Sequence, residues 1–281
     1  MKHIVPALRR NLTSKAMRPP APVGQKRYRS DTPIPALSIS VASYNVHKCV
    51  GTDGSFDPDR ILNVLLELDA DIIALQEADE RFGSRRGLLN LDALYSKGGY
   101  RSVLDMGSRK LSHGWHGNVV LYRKGIVTAA DKLTLPGLEP RGAVLVDFEV
   151  EGVPLCIIGA HLGLLRRSRA KQVEAILHAA HPVHDRAVIL LGDTNEWRIG
   201  EKSTLSTFDP HLADVDMAIA SFPSRFPIWP LDRVLTNKHV TVYEMYAVMT
   251  DLSRIASDHL PVKAVIGVTP EAVATHPGAR E

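Results

Sequence analysis

The chain is 281 residues long and 44% apolar, which fits one large folded domain with a substantial core. No run is long and apolar enough to cross a bilayer, and two distant cysteines, Cys49 and Cys156, without CxxC spacing exclude a disulfide framework or a zinc knuckle. The net charge of +3 hides two unlike regions: residues 1–30 hold eight Lys or Arg and no acid, leaving 26 basic against 31 acidic side chains beyond them.

That leading segment has Pro at four places and no periodic apolar face, so residues 1–36 read as a basic, disordered arm. A folded unit at 37–268 and a short tail at 269–281 complete the expected organisation. The arm lacks the apolar stretch of a secretory signal, so the expected location is cytoplasmic, with peripheral membrane contact open to the arm.

From Leu37 onward, strand and helix patterns alternate. "LSISVASYNV" alternates apolar and small polar residues as a half-buried strand does. "FDPDRILNVLLELDA" predicts a helix with Asp57 as N-cap, Pro58 at its first position and Ile61, Leu62, Leu65, Leu66 and Leu68 turned inward. "DIIALQ" follows as a short buried strand, then "WHGNVVLYR", "AVLVDFEV" and "PLCIIGAHL". A helix over about Arg166 to Ala180 turns Val173, Ile176, Leu177 and Ala180 inward, and "RAVILLGD", "LDRVLT", "HVTVYEMYAVM" and "LPVKAVIGV" are further strands. Consecutive strands without helices between them imply antiparallel pairing, so two central sheets packed face to face and flanked by helices are expected. Two long loops, Gly107 to Trp115 and Leu212 to Leu231, are candidates for function.

Polar residues stand where strands end. Asn45, Glu77, His161 and Asp193 each follow an apolar strand, while Asp232, and Asp258 with His259, stand where strands begin. In an antiparallel arrangement the start of one strand lies at the same edge as the end of its neighbour, so these groups can share a cleft. With Asn195 they suit hydrolysis of a phosphate ester, which needs a cation, an oriented water and donors to the crowded oxyanion. Glu77 is the leading metal ligand, with Asn45 and Asp258 adding oxygen directly or through water. Asp193 orients or deprotonates water, Asn195 and His161 donate to phosphate, and Asp232 fixes the ring of a charged His259.

The motifs "SYNVH", "LQEAD", "GAHL", "GDTNEW", "LDRV" and "SDHLPV", in that order, resemble the signatures of the endonuclease/exonuclease/phosphatase superfamily, which includes deoxyribonuclease I and exonuclease III. The likeness spans about Leu37 to Val268. It implies a four-layer α/β sandwich with two mostly antiparallel sheets, Mg2+ or Mn2+ dependence, and phosphodiester or phosphomonoester hydrolysis. It places Glu77 at the metal with Asn45 beside it, Asp193 at water, Asn195 and His161 at phosphate, and the Asp232–His259 pair in the proton or electrostatic role. Asn118 in "HGNVVLYR" and Arg141 in "EPRGAV" are further candidate substrate contacts. The words "SYNVHKCVGTDG" and "FPIWPLDRV" are closer to a bacterial branch than to exonuclease III, which leaves the substrate open.

A metal-dependent phosphodiesterase acting on nucleic acid or a phospholipid-like head group is the first expectation, as a monomer with no obligate protein partner. The acidic body and 6% aromatic content weigh against the nuclease variant without removing it. A noncatalytic anion- or nucleic-acid-binding protein that keeps the fold ranks second, since every main position holds a competent residue; a phosphomonoesterase is the alternative within the same chemistry. The cluster Arg166, Arg167, Arg169 and Lys171 opposes the dipole at its helix start and hints at an anionic partner. His178, His181 and His184 are spaced by three, but Pro182 ends the helix and their rings diverge. His113, Trp115 and His116 form either a substrate-facing loop or, for Trp115, a cover on the core.

Overall fold

The computed structural model describes residues 27–32, 38–80, 83–104, 112–180, 186–208, 211–214 and 218–268. Most of the basic arm, the tail, His181, His184 and residues 107–111 of the first long loop lie outside them.

Two sheets face each other. The first contains, side by side, β1 (Arg27–Arg29), β12 (Val240–Ala247), β13 (Val262–Val268), β2 (Ile39–Asn45), β3 (Ile72–Gln76), β5 (Val119–Tyr122) and β4 (Arg101–Ser102). The second contains β10 (Ala213–Asp214), β11 (Asp232–Thr236), β9 (Ala187–Asp193), β8 (Val153–His161), β7 (Arg141–Val150) and β6 (Ile126–Leu135). Among the described residues every strand pairing is antiparallel except two, β2 with β3 and β8 with β9. Those two need crossovers, supplied by the helices α1 (Pro58–Leu68) and α3 (Arg166–Ala180).

The side-chain period of two explains the layers. Along β9, Ala187, Ile189 and Leu191 point between the sheets, while Val188 and Leu190 point outward against Val173 and Ile176 of α3. Along β3, Ile72 and Ala74 face the other sheet, and Ile73 and Leu75 face Ile61 and Leu65 of α1. Both faces are covered, so these strands read as continuous apolar runs. The result is helix, sheet, sheet, helix: the expected α/β sandwich.

α1 starts as its sequence dictates, with the Asp57 side chain accepting from Arg60 N at 2.9 Å and Pro58 in the first turn. Val64 is buried where Leu66 was expected, and Leu66 is only partly buried. In α3, Leu177 is likewise partly buried, while Ser168, Arg169 and Gln172 are buried.

Several elements depart from the sequence reading. Arg27–Arg29, inside the expected disordered arm, form β1 on the free edge of β12, in register Arg29 to Glu244. A three-residue strand cannot display periodicity, and its partner edge lies more than two hundred residues away in the sequence. β6 was not expected because it is an edge strand with most of its side chains exposed, and the short α2 (Leu91–Gly98) buries only Leu94.

Gly192 is a tight point in the frame of the site. It pairs with Ala160 across β8 and β9, and a Cβ there would lie 2.1 Å from the Ala160 carbonyl oxygen. Gly192→Ala is expected to lower unfolding free energy by about 1–3 kcal/mol, the usual range for overpacking, measured by urea denaturation. An unchanged midpoint would show that the two strands separate without cost.

Candidate functional site

The two parallel pairs bring the site together. Asn45 ends β2 opposite Gln76 of β3, so Glu77 emerges beside it. In the other sheet His161 ends β8 directly opposite Asp193, which ends β9, and Asp232 starts β11 directly opposite Asp193 on its other side. Asp258 and His259 come just before β13, the neighbour of β2. Helix crossovers thus send four strand exits to one edge, and antiparallel neighbours return two strand starts to it. A cleft of about 560 Å³ opens there. Its polar walls include Asn45, Glu77, Arg141, His161, Asp193, Asn195, Asp258 and His259, and its mouth carries Trp197, Phe222 and Trp229. Glu77 and Asn195 hold φ of 54° and 49°, a left-handed backbone that residues other than glycine seldom adopt.

Asp193 is the hub and is 2% exposed. Its Oδ2 accepts from Asn45 Nδ2 at 2.9 Å and lies 3.3 Å from His161 Nε2 and 3.8 Å from His259 Nε2. Its Oδ1 accepts from the Asn195 backbone N–H at 2.9 Å. Burial works against this charge, but the His259 charge and the His161 hydrogen bond outweigh it and hold the carboxyl well below the usual carboxylate range.

Behind it, Asp232 Oδ2 accepts from Ser221 Oγ at 2.5 Å and meets His259 Nδ1 at 2.8 Å. Burial opposes the His259 charge; Asp232 and Asp193 overcome it and push the ring up to about 10. Burial also pushes the Asp232 carboxyl up, and His259 offsets part of that. The unit is an imidazolium held between two carboxylates.

Arg141 Nη1 lies 2.9 Å from His161 Nδ1. Nε2 of the same ring faces both Asp193 Oδ2 at 3.3 Å and Asn195 Nδ2 at 3.2 Å. Asn195 Nδ2 donates to the Leu162 carbonyl at 2.9 Å, which fixes the amide at the cleft wall. Glu77 is paired with Lys48 through its Oε2. Burial raises the Glu77 carboxyl, but His161, Lys48 and Arg141 draw it below its ordinary value. Asp258 Oδ1 lies 3.7 Å from His47 Nδ1.

Asn118 stands apart. It is fully buried, and its Nδ2 donates to the Trp115 and Gly142 carbonyls, so it braces loops beneath the cleft and lies outside the walls where a substrate contact was expected. Arg141 does reach the wall, braced by Glu139 at 3.2 Å. Trp115 packs partly against the core, whereas His116 lines a small side pocket with Lys48, Asp79, Arg85 and Arg141.

Sequence reasoning missed Lys48, His47 and Ser221, whose roles arise only from packing. It also left Glu196 unexplained. That carboxylate is fully buried and accepts from Arg169 Nη2 at 3.2 Å, Thr204 Oγ1 at 2.8 Å and Arg198 N at 3.0 Å. Arg169 is therefore taken by an internal partner, unlike the exposed Arg166 and Arg167 that precede it. Among the described residues, no three His, Cys, Asp or Glu side chains converge as a ready-made metal cluster, and none of the helices is long and apolar enough to cross a membrane.

Fold and site together define a two-sheet α/β sandwich with a polar cleft at its strand ends. The profile of the Endonuclease/Exonuclease/phosphatase family matches residues 42–259. The chain belongs to that family, whose members are generally hydrolases of phosphoester bonds. Solved structures share the fold. An endonuclease/exonuclease/phosphatase from Beutenbergia cavernae is similar at 20% identity and TM-score 0.62, over 82% of this chain and 72% of that one. A Bacteroides thetaiotaomicron mannosyl-6-phosphatase is similar at 18% and 0.63, over 82% and 100%. D. rerio TDP2 complexed with single-strand DNA product is similar at 17% and 0.59, over 82% and 99%. No curated protein sequence matches the chain.

The charged ring has a pH signature. His259 keeps its proton to about pH 10 when folded, but only to about 6.5 when unfolded. Its stabilisation is therefore complete below the unfolded value and is lost as pH rises through the folded one. Between those limits the melting temperature should fall more steeply in the wild type than in His259→Gln, measured by scanning calorimetry. Parallel curves would contradict a charged ring.

Proposed function

We propose that the chain is a metal-assisted phosphoric ester hydrolase whose preferred substrate is a diester. The observation that carries this reading is the buried Asp193 carboxylate, held ionised among Asn45, His161 and His259 at the floor of a cleft that Glu77 and Asp258 also line.

The depressed Asp193 carboxyl makes it a weak base, so it serves best to orient a water by accepting its hydrogen. His259 is charged at neutral pH and acts as a donor and positive charge for the crowded phosphate oxygens, with Asp232 fixing its ring. Asn195 supplies an amide at the same wall, and Arg141 positions His161 and adds positive charge.

The donor set suits a hard divalent cation, Mg2+ or Mn2+. Glu77 and Asp258 would hold it with carboxylate oxygen, Asn45 stands beside them, and the Lys48 ammonium on Glu77 marks a position that attracts positive charge. Three carboxylates line the cleft against the Arg141 guanidinium and the His259 imidazolium, so an anionic phosphate enters more readily with added positive charge. When bound, the cation neutralises phosphate charge and polarises its oxygens. The same balance favours a diester, with one negative charge, over a monoester with two.

A Mg2+ titration with bis(p-nitrophenyl) phosphate and p-nitrophenyl phosphate tests the reading. Hydrolysis of the diester should exceed that of the monoester and fall at least about 100-fold in His259→Ala and in Glu77→Ala, the scale of losing one transition-state donor. No hydrolysis by the wild type, or undiminished rates in either variant, would sink the mechanism. A monoester preference would move the substrate to the phosphomonoester class of the mannosyl-6-phosphatase.

A further inference from the structure

The mouth of the cleft has a composition that its polar floor does not need. Three loops border it. The turn between β8 and α3 presents Leu164 and Leu165, followed by Arg166 and Arg167, all exposed. The loop after β9 presents Trp197 and Ile199 around Arg198, whose guanidinium lies over the Trp197 ring at 4.4 Å. The loop before β11 presents Arg225, Phe226, Ile228 and Trp229. Leu164, Trp197 and Trp229 line the cleft itself; Leu165, Ile199, Phe226 and Ile228 lie outside its walls.

Each of these seven apolar side chains leaves 45–76% of its surface exposed, a concentration that folding alone does not explain. The three runs, 164–167, 197–199 and 225–229, contain four Arg and no Asp or Glu, with Arg198 paired to the adjoining buried Glu196 at 3.8 Å and Arg225 bonded to Thr52, although the chain beyond residue 30 is acidic by five. Tryptophan beside arginine and aliphatic side chains is the chemistry of a membrane interface. Apolar groups enter the acyl boundary, indole rings sit at headgroup level, and guanidinium groups meet lipid phosphates.

We propose that this rim docks the cleft onto an anionic phospholipid surface, so that the phosphoric ester is taken from a lipid held in the membrane. The substrate statement rests on the hydrolase reading above; the docking does not. Single-stranded nucleic acid is the competing occupant. It would use the two tryptophans for stacking but has no use for Leu164, Leu165, Ile199 and Ile228, which offer no π face.

The test uses the full chain in flotation with vesicles of phosphatidylcholine alone and of phosphatidylcholine mixed with phosphatidylglycerol. Tryptophan emission reports burial, since two of the three tryptophans, Trp197 and Trp229, are on the rim. The wild type should partition to the anionic vesicles with a blue shift. Leu165→Ser/Ile199→Ser and Phe226→Ser/Ile228→Ser should each weaken partition at least about tenfold, from the apolar area withheld from the bilayer. Both pairs lie outside the cleft walls, so hydrolysis of the soluble diester should be unchanged in them. Vesicle binding identical in wild type and both variants would assign the attraction to the basic leading segment and overturn the proposal. So would binding of a single-stranded oligonucleotide, impaired by the same variants, without partition to vesicles. Docking without any hydrolysis would overturn the hydrolase reading and leave the surface standing.

Discussion

A carboxylate stripped of water at the end of β9 is the constraint around which the site is built. Asp193 can stay ionised while 2% exposed only because donors surround it: an amide from the other sheet, a backbone N–H two residues on, and two histidine edges. Each donor needs its own support. Asp232 supports His259, Ser221 supports Asp232, and Arg141 supports His161. The network therefore spans both sheets, and the Asn45 bond to Asp193 joins their edges directly. Removing one member leaves another buried group unpaired, which makes the cluster all-or-none in energy.

That requirement accounts for the topology. Two βαβ crossovers inside otherwise antiparallel sheets look irregular, yet they alone place the exits of β2 and β3, and of β8 and β9, at one edge. A wholly antiparallel arrangement would alternate exits and starts along that edge. The parallel register puts His161 level with Asp193, and the antiparallel register of β11 puts Asp232 level with it from the other side. A slip of one residue in either ladder would turn these side chains to the opposite face.

Much of this was legible in the sequence because strand ends are. Apolar runs that finish in Asn45, Glu77, His161 and Asp193 announce both the strand and the group it delivers, and buried central strands leave strong patterns. Weakly buried elements leave none: β6 is an exposed edge, and β1 is three residues that find a partner far along the chain. Asn118 was hard to place for a related reason. It sits next to a strand in a family motif, and nothing in the string distinguishes an amide that faces a cleft from one that braces carbonyls beneath it. Lys48 was invisible because its value lies in meeting Glu77, twenty-nine positions away.

Glu196 and Trp197 show how chemistry and surface are tied together. Trp197 is an exposed rim residue two positions after Asn195, and the intervening Glu196 is buried and bonded to Arg169, Arg198 and Thr204. Those bonds clamp the loop to the first turn of α3, so the rim is a fixed collar. The same economy recurs around the mouth: Leu164 follows His161 by three residues, and Trp229 precedes Asp232 by three. Because each cleft residue and its rim neighbour share one short, pinned segment, whatever seats on the collar is held at a set distance from Asp193 and His259. Under the docking proposed above, orientation of the target ester would come from the surface it arrives on, which would relieve a cleft of about 560 Å³ from enclosing the whole molecule.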